Sequence, residues 1–393
     1  MTGEPPRRIL IVHNAYRQRG GEDAVVEAEA ELLRGAGVDV RLACFDNAAI
    51  SGVAGKVSAI RNAGGDEAVA RDLVAKARYH RADFVHIHNF WPLVTPAAHI
   101  ALADAGFPVV QTLHNYRLLC VNAMLLRDGE PCRDCLERSR LSALRHRCYR
   151  GSLTGSAAVL RMQNATLRDP RWLASVTRFV ALSEFARDLF VGQGLPAERV
   201  VVKGNAVSDP GPPEAGAIRQ GVLFVGRLSP EKGVDLLCEA ARAHPDLPIT
   251  VLGEGPDRAL LEALAPANVR FAGTSTPEQV RTAMRAARWL ILPSRWYEGF
   301  PMVLAEAFAN GLPAIAARIG GLPEIVREGQ TGLLFEPNSV ASLAEALAKT
   351  RNDKLTSRLG AGARSAYELR HSETANLAAL QSIYAAAMAE AAA

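Results

Sequence analysis

The sequence predicts an α/β protein of two doubly wound domains facing a cleft. Two observations carry this: short apolar runs alternate with helix-patterned stretches through the first half, and the alternation restarts after a Pro/Gly-rich stretch. A third is compatible with it, since 393 residues at 49% hydrophobic and 22% charged can bury two cores. In the first half Ile9–Val12, Phe84–Ile87, Val109–Leu113 and Phe179–Leu182 read as buried parallel strands, with helices such as Glu22–Gly35 and Glu184–Val191 between them. Val200–Val202 closes this half, and Asn205–Gly221 (NAVSDPGPPEAGAIRQG) has the composition of a linker. Strands resume at Val222–Val225, Ile249–Leu252, Val269–Ala272, Leu290–Leu292 and Ala314–Ala316. The expected division is 1–205, 206–371 and a C-terminal helix over 372–393 that returns to the first domain.

No run approaches the roughly 18 apolar residues of a membrane span. The opening MTGEPPRRILIVHN has too short an apolar run and no small-residue cleavage site for a signal peptide, so a cytoplasmic protein is expected. A net charge of +4 is too slight to indicate a nucleic-acid partner. One stretch departs from this balance: Arg133–Arg150 holds six arginines against Asp134 and Glu137.

Glu298 and Glu306 sit in EGFPMVLAEAFANGLP, the first before a turn and the second inside an apolar helix that starts at Pro301 and stops at Gly311. A charge in that helix needs a partner or a ligand, and its side chain leans back toward the turn holding Glu298. The unpaired N–H groups of the first turn favour an anion, so the two acids would flank a phosphate-binding end; a buried Glu–Arg pair with a capping acid is the alternative. VLFVGRLSPEKG (Val222–Gly233) reads as a strand, a loop and a helix capped by Ser229, with Arg227 and Lys232 bracketing the turn at the strand's carboxyl end. Two cations there suit a diphosphate. VLGEGP from Val251 repeats the design with glycines that admit a flat ligand, and GGLPEIV from Gly320 is a third such turn.

These segments, in this order, resemble the family 4 glycosyltransferases over nearly the whole chain. The resemblance rests on G-R-L-S-P-E-K-G, V-L-G-E-G-P, the E-x7-E of Glu298 and Glu306, G-G-L-P-E and Gly332-Leu333-Leu334. It implies a GT-B fold of two Rossmann-like domains. It also implies retaining transfer of a hexose or deoxyhexose from a nucleoside diphosphate sugar, a GDP- or UDP-sugar, without a catalytic metal. Glu306 would bind the ribose hydroxyls and Glu298 would lie by the donor sugar. Arg227 and Lys232 would stabilise the charge growing on the leaving nucleotide. The donor's surroundings would further include Gly226, Gly253, Glu254, Gly299, Phe300, Pro301, Met302 and Val303.

In the first half HNAYRQRGGED, with Gly20 and Gly21 before a helix, looks like the family's glycine loop near the donor phosphates. It is not the G-x-G-x-x-G of a dinucleotide site. His114 in TLHNYR matches the histidine that reaches the transferred sugar; relatives often follow it with Asp, and Asn115 departs from that. The catalytic set implied is His114, Glu298, Arg227 and Lys232. In HIHNFWP, His88 or Trp91 could line an acceptor pocket, against a structural histidine and a packed indole.

Cys44 and Cys238 read as buried structural residues. The other four cysteines fall as Cys120-x11-Cys132-x2-Cys135-x12-Cys148, in a loop-rich insertion near 117–150. A CxxC flanked by two more cysteines suggests tetrahedral, structural zinc, against disulfides or unlinked thiols. Some bacterial polysaccharide glycosyltransferases look similar here, with HNYRLLC, RDGEPC and RCYRGS. Arg138, Arg140, Arg145, Arg147 and Arg150 could face anionic lipid at the inner face of a membrane or a diphosphate-linked acceptor, or form a solvated basic face. The expected function is sugar transfer to a glycan or lipid-linked acceptor in surface-polysaccharide, lipopolysaccharide or glycolipid assembly. The rivals are a GT-B phosphorylase or epimerase, and a zinc-ribbon-like nucleic-acid-binding protein that only the insertion favours.

Overall fold

The computed structural model describes residues 6–16, 20–50, 52–211 and 218–391. Residues 17–19 of the glycine loop and 212–217 of the linker lie outside the described residues. The chain divides into two units, one of residues 1–125, 132–204 and 376–393, the other of 126–131 and 205–375.

Strands β1 (Arg8–Ala15), β2 (Asp39–Asp46), β3 (Phe84–Asn89) and β4 (Val109–Leu113) precede a two-residue antiparallel pair, β5 (Leu126–Arg127) and β6 (Glu130–Pro131). After β7 (Arg178–Ala181) and β8 (Val200–Val202), the first unit's sheet is complete in the order β2-β1-β3-β4-β7-β8. All its pairings are parallel. β3 and β4 are buried along their whole length, including the polar His86, His88, Asn89, Gln111 and Thr112, as central strands covered on both faces are. The helix Glu373–Ala391 supplies Leu380, Ile383, Tyr384 and Ala387 to the same core as Ile9, Phe84 and Val110.

The second unit repeats the plan with β9 (Gln220–Val225), β10 (Ile249–Leu252), β11 (Val269–Gly273), β12 (Ala287–Leu292), β13 (Ala314–Ala317) and β14 (Gly332–Phe335), in the order β11-β10-β9-β12-β13-β14. These pairings are also parallel. Each sheet reverses its winding once, between β1 and β3 in the first unit and between β9 and β12 in the second. Parallel sheets bind ligands outside the carboxyl ends of the strands at such a reversal.

Several details differ from the sequence reading. Two edge strands, β2 and β14, were not expected. Cys44 is exposed rather than buried, because β2 turns part of its length to solvent at the sheet edge. Ser229 caps no helix. Its hydroxyl instead meets Glu231 Oε1 at 2.5 Å, Pro230–Lys232 forms a 3-10 turn, and the α-helix Val234–Ala241 starts only after Gly233. Pro301 precedes its helix, which runs Met302–Ala309, by one residue.

Candidate active site

In the second unit, the loops after β9 and β12 meet at the winding reversal. Glu298 is buried at 5% exposure, and its Oε1 accepts from Lys232 Nζ at 2.8 Å and from the Ser294 hydroxyl at 2.7 Å. The Lys232 ammonium also lies 5.2 Å from the centre of the Trp296 ring. The loop carrying these groups is braced by Arg295, which grips Asp235 through both terminal nitrogens at 2.8 and 2.7 Å. Lys232 is therefore held in one place before any ligand arrives, whereas Arg227 stands exposed beyond β9.

The two acids have different surroundings. Glu306 is half-buried on its helix, beside a cavity of about 200 Å³ lined by Val207, Pro277, Val280, Arg281 and Met284. Burial raises its carboxyl pKa, and the Arg281 charge pulls the other way. Phe300 packs on the His371 ring at 5.3 Å, and Met302 and Val303 open the helix first turn. The glycines of VLGEGP bring backbone against backbone: a Cβ on Gly253 would meet the Gly226 carbonyl oxygen at 1.9 Å, and one on Gly255 that of Leu228 at 2.0 Å. They dock the β10 loop onto the β9 loop, and Glu254 beside them is exposed and paired with Arg258.

In the first unit, Gly20 and Gly21 open the helix Gly21–Gly35, and Asp23 ties that end down. Its Oδ2 accepts from Gly20 N at 2.7 Å and its Oδ1 faces His13 Nε2 at 2.8 Å. Asn115 does not serve His114. It donates to Glu22 Oε1 at 2.7 Å and contacts the Tyr16 hydroxyl at 3.3 Å. Burial raises the Glu22 carboxyl pKa, opposed chiefly by the Asn115 hydrogen bond. His114 is buried at 8% exposure after β4, and its Nε2 lies 2.9 Å from Nδ1 of His88 on β3. Burial holds the His114 imidazole down at about 3 and pushes His88 well below the usual range, so both rings are neutral near neutral pH.

His88, at 2% exposure, is thus engaged inside the unit. Trp91 instead lines a cavity of about 390 Å³ with Tyr16, Ile60, Tyr149, Arg150 and Thr154. Among the described residues its indole N–H is buried without a partner.

The insertion folds as the β5–β6 pair and two one-turn helices, Asp134–Glu137 and Ser142–Arg145. It gathers the four cysteines. The Cys135 thiol is pushed up to about 12, first by burial and then by Cys120, Cys148 and Cys132 nearby. Arg138 pairs with Asp134 and Arg133 with Glu137.

The sequence reading did not single out Ser294 and Trp296, which position Glu298 and Lys232, or Glu29 and Lys203, which lie behind His88. Ser294 and Trp296 stand in a loop with no pattern of its own. Glu29 carried no signal either, because Glu27 and Glu31 in the same helix make it look like part of a solvated acidic face.

Residues 219–366 match the family model described as Glycosyl transferases group 1, and residues 20–206 match the Glycosyl transferase 4-like domain. The D-inositol 3-phosphate glycosyltransferase of Acidothermus cellulolyticus is 30% identical over 329 residues, covering 78% of this chain and 68% of that protein. The glycogen synthase of Mycobacterium tuberculosis is 32% identical over 289 residues, covering 70% and 62%. The chain spans only 18%, 40% and 44% of three other curated relatives. The solved structure of Anabaena HepE in complex with UDP is similar in fold at a TM-score of 0.65 and 19% identity, over 95% of this chain and 98% of that one. Two parallel, doubly wound units, two matching domain models and a relative aligned over most of both lengths lead to one conclusion: the chain belongs to the family 4 glycosyltransferases, with the GT-B fold.

Proposed function

We propose that this chain transfers a hexose or deoxyhexose, with retention, from a nucleoside diphosphate sugar to a glycan or lipid-linked acceptor in surface-polysaccharide or glycolipid assembly. The observation that carries the proposal is the Lys232 ammonium fixed by Glu298 at the second unit's winding reversal, where a departing diphosphate would need a cation. As the bond from the anomeric carbon to the diphosphate breaks, the acceptor hydroxyl forms the new bond on the same face. It passes its proton to the leaving phosphate oxygen. Because HepE was solved with UDP and with UDP-glucose, these are the first probes to use. Calorimetric titration of UDP and a UDP-release assay with UDP-glucose test the reading; a protein that neither binds UDP nor consumes any nucleoside diphosphate sugar would overturn it.

Glu306 is the ribose-binding acid in this reading. Its burial already disfavours the charged form, so removing it should leave the fold intact. Glu306→Ala is expected to weaken UDP binding by roughly 1–3 kcal/mol, and an unchanged calorimetric affinity would remove it from the nucleotide site. For the acceptor, the Trp91 cavity offers aromatic walls and the Arg150 guanidinium, a combination suited to a sugar carrying phosphate. Among the described residues no helix is long and apolar enough to cross a membrane.

We propose also that Cys120, Cys132, Cys135 and Cys148 hold a structural zinc. Supporting this, they gather around Cys135 in a stretch with little core of its own, though no three of their sulfurs lie within 4.8 Å of one another. The metal would draw four thiolates together and tie down the insertion; it would have no part in sugar transfer. Protein purified without chelator should carry about one zinc per chain by elemental analysis. Cys132→Ser or Cys135→Ser should lose it and expose the insertion to protease. Metal-free wild type with a protease-resistant insertion would rule the site out.

A further inference from the structure

A buried chain of polar groups runs behind His114 within the first unit. His88 links to His114 through Nδ1, and its Nε2 lies 3.6 Å from Glu29 Oε2. Among the described residues both His88 Nε2 and Glu29 Oε2 are buried without a hydrogen-bond partner, and they face each other across that distance. Glu29 Oε1 pairs with Lys203 Nζ at 2.5 Å, and Lys203 also donates to Asn376 Oδ1 of the C-terminal helix at 2.7 Å. Beneath His88, His86 has both ring nitrogens engaged, by the Tyr384 hydroxyl at 2.9 Å and the Thr112 hydroxyl at 2.8 Å.

Glu29, His86 and His88 bring three ligand atoms within 4.8 Å of one another, which raises the question of a metal. The donor set does not fit one. An ammonium already neutralises Glu29, and both nitrogens of His86 are taken.

We propose that Glu29 and His88 are positioning residues that set the tautomer of His114 and leave its Nδ1 as a bare hydrogen-bond acceptor for a sugar hydroxyl. The proposal rests on the reading of His114 as the residue that meets the transferred sugar. The Glu29 carboxylate 3.6 Å away favours a hydrogen on His88 Nε2, because the other tautomer would set a bare lone pair against a carboxylate oxygen. A neutral imidazole has one N–H, so His88 Nδ1 is then a lone pair, and His114 must donate to it from Nε2. His114 Nδ1 is left bare. It has no protein partner among the described residues and is not one of the buried unpaired atoms, so it opens outward. In family relatives with His-Asp an acid follows the histidine directly; here the acid is Glu29, acting through a second histidine.

The test is the double variant Glu29→Leu/Lys203→Met, which removes both charges of the buried pair together and leaves no acceptor facing His88 Nε2. Its kcat on UDP-glucose should fall by roughly 10- to 100-fold, the usual effect of a supporting hydrogen-bond partner. Its KM for UDP-glucose and its affinity for UDP should stay within about twofold. A long-range 1H–15N correlation spectrum should show His114 as the Nε2–H tautomer in wild type and changed in the variant. His88→Asn, which keeps an amide near the Nδ1 position but loses the link to Glu29, should also release the tautomer. It provides the readout if the double variant does not fold. An unaltered His114 tautomer in either variant, or an Nδ1–H tautomer in wild type, would overturn the proposal. Failure of wild type to bind UDP or consume UDP-glucose would defeat the donor reading instead, and the spectrum decides the tautomer either way.

Discussion

His114→Ala is expected to lose sugar transfer by about 100-fold or more while UDP affinity stays within about twofold. A residue that meets only the transferred sugar helps orient and stabilise the reacting centre, and nucleoside diphosphate binding does not use it. The same substitution has a structural effect, because it strands Nδ1 of the buried His88 at a cost of roughly 1–3 kcal/mol. The two effects can be separated. In His114→Gln the side-chain amide reaches the place of Nε2 and can restore the bond to His88, but it offers nothing at Nδ1. The glutamine variant should therefore regain most of the thermal stability that the alanine variant loses, and neither should transfer sugar. Because burial keeps the His114 ring neutral with a pKa of about 3, this residue should contribute no acid limb to the rate between about pH 5 and pH 8. Near-wild-type transfer by His114→Gln would show that the outward ring nitrogen is not used. A parallel loss of UDP affinity would move His114 to the nucleotide.

Most of the sheet framework was legible because its strands are buried on both faces. Within β1, β9 and β10 the stretches Ile9–Val12, Val222–Val225 and Val251–Leu252 are apolar and end in turns or polar residues, and such runs stand out without an alignment. β2 was missed for the opposite reason. DVRLACFD lies at an edge, shows solvent much of its length, and its charged residues mask the alternation. The loops of the candidate site were legible as motifs, yet what their side chains touch was not. Nothing in the spacing of Lys232 and Glu298 says that they pair, since 66 residues separate them and only the β9–β12 adjacency brings their loops together. Glu29 shows the same limit. With Glu27 and Glu31 on either side it reads as part of a solvated acidic face, and only packing against Lys203, 174 residues away, marks it as buried. Asn115 is a third case: its departure from His-Asp left the partner of His114 open, and the fold answers with His88.

Lys232→Ala is expected to lower kcat on a nucleoside diphosphate sugar by about 10²–10³-fold, the usual loss when one pre-placed group facing transition-state charge is removed. Affinity for the intact donor should fall less, because its diphosphate gains the extra charge only as the glycosidic bond breaks. A competing explanation exists in the structure. Lys232 is a cation on buried Glu298, so its removal takes an ammonium from that carboxylate. Made singly, the substitution therefore does not separate loss of the ammonium from damage to Glu298. Adding Glu298→Gln to Lys232→Ala removes that carboxylate's charge. If the pair is only structural, activity returns with stability in the double variant; if it does not return, Glu298→Gln alone gives the loss that belongs to Glu298, and a further loss in the double variant is the ammonium's share. Arg227→Ala provides the comparison, since an exposed guanidinium is screened by solvent and is not held in place, and its loss should be the smaller one. Recovery of transfer in the double variant, or turnover by Lys232→Ala within about threefold of wild type at saturating donor, would remove Lys232 from the chemistry and leave it as the counter-charge of Glu298.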